Sequence, residues 1–236
     1  MNTMNKNQSE FTLRLVGGAD DAAPAQHEEA APQTSEQRGL FIGALQALMA
    51  SLDAKDAYTH GHCERVSVLA KIIASGLKLT FDEIKQVALA GLVHDIGKIG
   101  VPENILKKPS RLTDEEFAVI KQHPDIGCVI INAIPSLRDL APGVKYHHER
   151  WDARGYPYGL SGGEIPLFAR ILAVADSFDA MRSTRTYSHA RAHVQVVDEM
   201  MKCRGSQFDP QIAETLAKAD LSEYDAMLDE HRSLAA

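Results

Sequence analysis

The sequence predicts an all-helical bundle with a Gly/Pro-rich loop and a flexible N-terminal tail, and three observations carry that prediction. Apolar residues recur with the helical period along much of the chain, two segments open with capping boxes, and no stretch alternates apolar and polar residues as a half-buried strand does. Of 236 residues, 44% are apolar and 24% charged, which suits one domain with a sizeable core; no internal repeat divides the chain.

Residues 1–34 are rich in Asn, Gln, Ala, Asp, Glu and Pro, as in GADDAAPAQHEEAAPQT, with little apolar periodicity beyond Phe11 to Leu15, so a mobile tail is expected. Ser35 is placed as the N-cap of a first helix in which Leu40, Phe41, Ala44, Leu45, Leu48, Met49 and Leu52 keep the helical spacing. The folded domain is thus set at residues 35–236. The stripe of Phe41, Leu45, Leu48 and Leu52 reads as core packing, with a homodimer seam as its alternative.

Thr80-Phe81-Asp82-Glu83 and Thr113-Asp114-Glu115-Glu116 are the two capping boxes. The first starts a helix running through Ile84, Val87 and Leu92 towards His94; the second starts one that reaches His123, where Pro124 should break or kink it. Between Glu149 and Pro166 the chain becomes dense in Gly and Pro and reads as a long ordered loop. Pro166 opens the next helix, PLFARILAVADSFDAM, and Asp209-Pro210 repeats the arrangement of an N-cap followed by proline.

A net charge of -7 and a sequence pI near 5.8 exclude a broad basic surface for tracking a nucleic-acid polymer, so any anionic ligand must be held by local cations. Cys63, Cys128 and Cys203 form no CxxC pair, which fits a reducing compartment and offers no thiolate metal site. The longest apolar stretch in the folded part, about Val87 to Val93, falls far short of the ~20 residues of a membrane helix. Without a membrane span or an export signal, a cytoplasmic address is expected.

The chemistry-bearing residues cluster around two motifs. His94-Asp95 is followed by Lys98, and a helical backbone would put the His94 imidazole and the ammonium on one face with Asp95 beside them. Alone, such a dipeptide is more often a buried hydrogen-bonded His or a surface ion pair. His147-His148, followed by Glu149 and Asp152, places two imidazoles just before the Gly-rich loop, for which a solvated cluster at a helix end is the bland account.

Together DAYTHGHCERV, HDIGKIGVPENILKKP, HHERWDARGYP and ARILAVADSFDAMRSTRTY resemble the HD-GYP family of bacterial cyclic di-GMP phosphodiesterases, over roughly Gln46 to Asp209, with the GYP tripeptide at Gly155-Tyr156-Pro157. The resemblance implies a single HD-type helical domain and metal ligands at His62, His94, Asp95, His123, His147, His148 and Asp176, with Asp95 bridging two metals. A carboxylate has two oxygens and can span two cations, while each imidazole ends on one. Nitrogen and oxygen ligation without thiolate suits first-row metals, and the resemblance favours iron or manganese. His27, His60, His189, His193 and His231 fill no ligand position and are assigned to the surface or to caps, Arg65 is assigned a surface ion pair, and Asp56 and Thr59 are expected to hydrogen-bond behind His62.

Two metals about 3.5–4 Å apart would lower the pKa of a shared water, align it with phosphorus and neutralise the phosphate oxygens. Asp95 and Lys98 are the catalytic assignments; Lys98 and Arg185 are the cations assigned to phosphate, and Asp152 and Tyr156 are further substrate contacts. Trp151 and Tyr156 either meet guanine or ribose or pin the loop to the core. Tyr58 stands four residues before His62, where some members carry a Glu that ligates a third metal, which argues against a third metal here and for linear pGpG as the main product, with GMP left open. Ala153 replaces a usual Gly, where the extra Cβ disfavours positive φ, and Ser188 replaces a common basic residue, so weaker substrate binding is expected. Two alternatives stay open: another HD-type nucleotide phosphohydrolase, and a catalytically weak cyclic di-GMP sensor that engages diguanylate cyclases (GGDEF) or adaptor proteins through the GYP loop.

Overall fold

The structure, a computed structural model, describes residues 39, 43–45, 47–49, 61–183 and 191–234. The N-terminal tail, the Ser35 cap, Asp56, Tyr58, Thr59, Arg185, Ser188, His27, His60 and His189 lie outside the described residues. From His62 the helices are α1 (His62–Gly76), α2 (Phe81–Val93), α3 (Glu103–Leu106), α4 (Asp114–Ile120) and α5 (His123–Asn132). They continue as α6 (Ala141–Tyr146), α7 (Leu167–Arg182), α8 (His193–Lys202), α9 (Pro210–Ala217) and α10 (Ser222–Leu234). Among the described residues there is no strand, and β-type pairing takes the form of isolated bridges, Asp152 with Ser161 and Arg204 with Phe208. The all-helical expectation is borne out.

Local chemistry sets the helix ends. Both capping boxes form: Glu83 N donates to Thr80 Oγ1 while Thr80 N donates to the Glu83 carboxylate, and Thr113 and Glu116 repeat the exchange. Asp209 caps α9 by accepting from Gln211 N and Ile212 N, with Pro210 in the first turn. The expected break at Pro124 is present, three residues earlier than the expected reach to His123. The helix begun by Thr113 ends at Ile120, and proline, which lacks an N–H, sits in the first turn of α5 rather than kinking a continuous helix.

The core lies where α1, α2 and α7 pack together, with Val66, Leu69 and Ile73 from α1, Val87 and Ala90 from α2, and Ile171, Val174, Ala175 and Phe178 from α7 all fully buried. Leu45 and Met49 of the first helical stretch join it, whereas Leu48 is 38% exposed, so part of the expected stripe is core and part faces outward. No helix among the described residues is long and apolar enough to cross a membrane. This frame brings the end of α2 and the starts of α1 and α5 to one place.

Candidate metal centre

The chain leaves α2 at His94 and tightens at once into the 3-10 turn Ile96–Gly100. Residues three apart eclipse in such a turn, so Lys98 faces Asp95, at 2.8 Å between Nζ and Oδ2, rather than sharing the His94 face as a continuous α-helix would dictate. Gly97 permits this packing: a Cβ there would collide with the backbone of His123 at the start of α5. His94, Asp95 and His123 are thereby drawn together, and all three are buried.

Three imidazoles are oriented by one device. The Nδ1 atoms of His94, His123 and His147 each lie 2.6–2.7 Å from the carbonyl three residues earlier, at Gly91, Ile120 and Val144. A carbonyl can only accept, so Nδ1 carries the proton and each Nε2 offers a lone pair. His123 Nε2 and His147 Nε2 then face each other at 3.4 Å as two acceptors, and His94 Nε2 is buried with no hydrogen-bond partner. Lone pairs aimed at one another in a buried space fit a shared cation, and the donor set suits a divalent metal.

Asp95 stands between two groups. Its Oδ1 lies 3.3 Å from His123 Nε2, and its Oδ2 lies 3.4 Å from His94 Nε2 and 4.0 Å from His62 Nε2. The potential ligand atoms of Asp95, His123, His147 and His148 cluster within 4.8 Å of one another, and so do those of His62, His94 and Asp95. Asp176, on α7, adds its Oδ1 at 3.2 Å from His62 Nε2. All seven residues assigned as ligands from the sequence converge.

Electrostatics set the protonation states. Burial alone would raise the Asp95 carboxyl, but the adjoining Lys98 ammonium, with His94 beside it, holds it well below the usual range. Asp176 is likewise held low, against burial, by the hydrogen bond and charge of His62. Burial, reinforced by the neighbouring imidazoles, pushes His147 well down; His148, through burial first, falls to about 3. His62 goes the other way: burial opposes its charge, yet hydrogen bonds to Asp176 and Asp179 raise it to about 9.

Asp179 escaped the sequence reading. Fully buried on α7, it accepts from His62 Nδ1 at 2.8 Å, Arg65 Nε at 2.7 Å and Nη2 at 3.1 Å, Tyr224 Oη at 2.9 Å and Ser183 Oγ at 3.2 Å. Arg65 is therefore no surface residue: it is buried and bound through two nitrogens, and a third, Nη1, lies 2.8 Å from His231 Nδ1. His231, assigned to the surface, belongs to this network. His193 is half-buried edge-on to Phe178. A faint signal for Asp179 existed, since it lies three residues after Asp176 on one helix, but its partner His62 is 117 positions away.

The GYP loop covers one side. Glu149, buried, accepts from Tyr158 N at 2.7 Å and from Gly159 N and Leu160 N at 3.1 Å each, so one carboxylate gathers the chain that follows the tripeptide. Gly155 packs so closely on the backbone of residues 148–150 that a Cβ would clash. Tyr156 stacks on His148 at 4.7 Å between ring centres and meets Phe117 edge-on. Ala153 adopts φ 63° despite its Cβ, so the loop keeps the left-handed turn that glycine would favour. Trp151 packs beside the Arg170 guanidinium. Asp152 binds Arg150 through Nε at 3.0 Å and Nη2 at 2.8 Å and accepts from Arg154 N, so a substrate contact there requires that pair to open. A cavity of about 280 Å³ adjoins the histidines, lined by His148, Arg154, Tyr156, Asp176, Ser177 and Gln207 among others.

A family profile described as HD domain matches residues 46–212. The chain belongs to the HD domain family. This HD domain is 38% identical over 188 residues to a cyclic di-GMP phosphodiesterase of Thermotoga maritima, covering 79% of this chain and 51% of that protein. It is 38% identical over 177 residues to the cyclic di-GMP phosphodiesterase response regulator RpfG of Xanthomonas campestris, covering 74% and 47%. The resemblance read from the motifs is borne out, and the chain spans about half the length of these curated relatives. A solved Vibrio cholerae cyclic GMP-AMP specific phosphodiesterase, V-cGAP3, shares the fold, with a TM-score of 0.56 at 21% identity over 81% of this chain and 53% of that one.

Proposed function

We propose that this HD domain hydrolyses cyclic di-GMP to linear pGpG with a pair of divalent metal ions, iron or manganese, held by His62, His94, Asp95, His123, His147, His148 and Asp176. The observation that carries the reading is the placement of Asp95, whose two oxygens face two separate imidazole groups at 3.3 and 3.4 Å. The bound metals would supply an activated water and offset the charge of the phosphate. The printed activities of the Thermotoga and Xanthomonas relatives support the substrate.

The chain's own residues do the rest. Asp95 stays ionised and keeps the two ligand groups in register, because Lys98 and the imidazoles stabilise its charge. Lys98, whose side chain is 18% exposed beside Asp95, binds a non-bridging phosphate oxygen. Arg185 is proposed to bind phosphate as well, and Asp152 is kept as a contact that becomes available when its Arg150 pair opens. Tyr156, held by His148 and Phe117, offers a ring edge to a guanine or ribose. Tyr58 in place of a third-metal carboxylate supports pGpG rather than GMP as end product.

The GYP loop is also proposed as a docking surface for diguanylate cyclases or adaptor proteins, and the first helix as a homodimer seam. Cys63, Cys128 and Cys203, none of them in a disulfide, support a reducing, cytoplasmic address. The deciding experiment offers cyclic di-GMP, cyclic GMP-AMP and mononucleotides to anaerobically purified, iron- or manganese-loaded protein and separates the products by chromatography. Conversion of cyclic di-GMP to pGpG is expected. Intact cyclic di-GMP that is nevertheless bound would make the chain a sensor and defeat the enzyme reading.

A further inference from the structure

The cavity beside the histidines has an asymmetric charge supply. Arg150 lines it, but its guanidinium is committed to Asp152 through both Nε and Nη2. Arg154 also lines it, and among the described residues its guanidinium makes no hydrogen bond or ion pair; the carboxylate whose charge it feels, Asp152, is the one already taken by Arg150. Asp176 lines the same cavity, and the chain as a whole is acidic.

The backbone under Arg154 is fixed. Its N–H donates to Asp152 Oδ1 at 3.2 Å, Ala153 before it is locked at φ 63°, and Gly155 after it sits against the backbone of residues 148–150. Tyr156 N then closes the turn on His148 O at 3.2 Å. The loop therefore fixes the backbone from which the Arg154 side chain extends, two residues before the tyrosine that stacks on His148.

A cyclic dinucleotide carries two phosphates. The metal pair, Lys98 and Arg185 are assigned above to the phosphate being cut; the second phosphate still needs a partner, and a guanidinium fork binds two phosphate oxygens at once. We propose that Arg154 is the substrate-binding residue that holds the second, uncut phosphate of a cyclic dinucleotide, and so sets preference for two-phosphate ligands over simple diesters. The assignment rests on the function proposed above and adds a residue and a selectivity to it.

The test compares wild type with Arg154→Ala and Arg154→Lys, after thermal melts and metal analysis have established equal stability and metal content. Affinity is read by fluorescence titration with a slowly cleaved phosphorothioate analogue of cyclic di-GMP, and turnover with cyclic di-GMP and with bis(p-nitrophenyl) phosphate, which has a single phosphate. Loss of a charge-assisted pair predicts that Arg154→Ala weakens analogue binding and raises KM by about 10- to 100-fold. Its kcat should move little, bis(p-nitrophenyl) phosphate turnover should be unchanged, and Arg154→Lys should recover part of the affinity. Unchanged analogue affinity in Arg154→Ala overturns the proposal, as does an equal loss on the single-phosphate diester, which would trace the effect to the metal centre. A wild-type protein that binds no cyclic di-GMP at all overturns the underlying function instead, and with it any role for Arg154 towards this ligand.

Discussion

The histidine cluster and the GYP loop face each other across one cavity yet are held in place by opposite means. The cluster is built on helix ends: each of three imidazoles spends its Nδ1 proton on the carbonyl three residues earlier, and the carboxylates Asp95, Asp176 and Asp179 come from the end of α2 and from α7. The loop has no regular element between Glu149 and Ser161 and is gathered by a single buried carboxylate, Glu149, that accepts three backbone N–H groups. Under the proposed function, metal geometry would be set by secondary structure, and the shape of the loop beside the substrate by one side chain. Damage to the first should appear in metal content, and damage to the second in KM.

Asp179→Asn is the strongest way to break the first region. It strips the charge that pairs the buried Arg65 guanidinium and puts an NH2 donor where one of two acceptor oxygens faced His62 and Arg65, so we expect a stability loss of about 3–5 kcal/mol and a metal affinity lowered by about 10- to 100-fold, measured by chemical denaturation and metal titration. Glu149→Ala breaks the second region. It should cost about 1–3 kcal/mol by leaving partly buried N–H groups without their acceptor, raise KM for the cyclic dinucleotide, and leave metal content at the wild-type level by elemental analysis. Metal loss in Glu149→Ala would erase the distinction between the regions.

Ala153→Gly sharpens the comparison more gently. Relief of a left-handed Cβ, offset by the extra freedom of glycine in the unfolded chain, should stabilise the protein by about 0.5–1 kcal/mol in denaturant titrations without altering metal affinity. The smallest effect concerns protons. With His62 raised from 6.5 to about 9, the metal-free protein carries a proton there at neutral pH; that proton stabilises the fold fully below pH 6.5, and the contribution fades as pH rises through about 9. Metal binding must displace it, so calorimetry in buffers of different ionisation enthalpy should detect proton release at pH 7 that vanishes above pH 9.

What the sequence made legible follows the same divide. Capping boxes and the Asp209-Pro210 cap are local patterns, and they placed α2, α4 and α9, while the family resemblance carried by the motifs implied the seven residues that converge. Asp179, Arg65 and Glu149 were missed because their roles depend on partners that no local spacing announces: His62 lies 117 positions from Asp179, and a single Arg on α1 looks like any surface residue until α7 covers it. The expected convergence of His94, Asp95 and Lys98 is present, but it is reached through a 3-10 turn rather than a continuous α-helix, because Gly97 meets α5, a tertiary contact.

The central claim is that Asp95 joins two metal sites. Metal stoichiometry, measured by elemental analysis on anaerobically loaded protein alongside circular dichroism, tests it most directly in wild type and Asp95→Ala. The account predicts two metal ions per wild-type chain, and fewer than one in a variant that remains helical. Two ions retained in helical Asp95→Ala would contradict it.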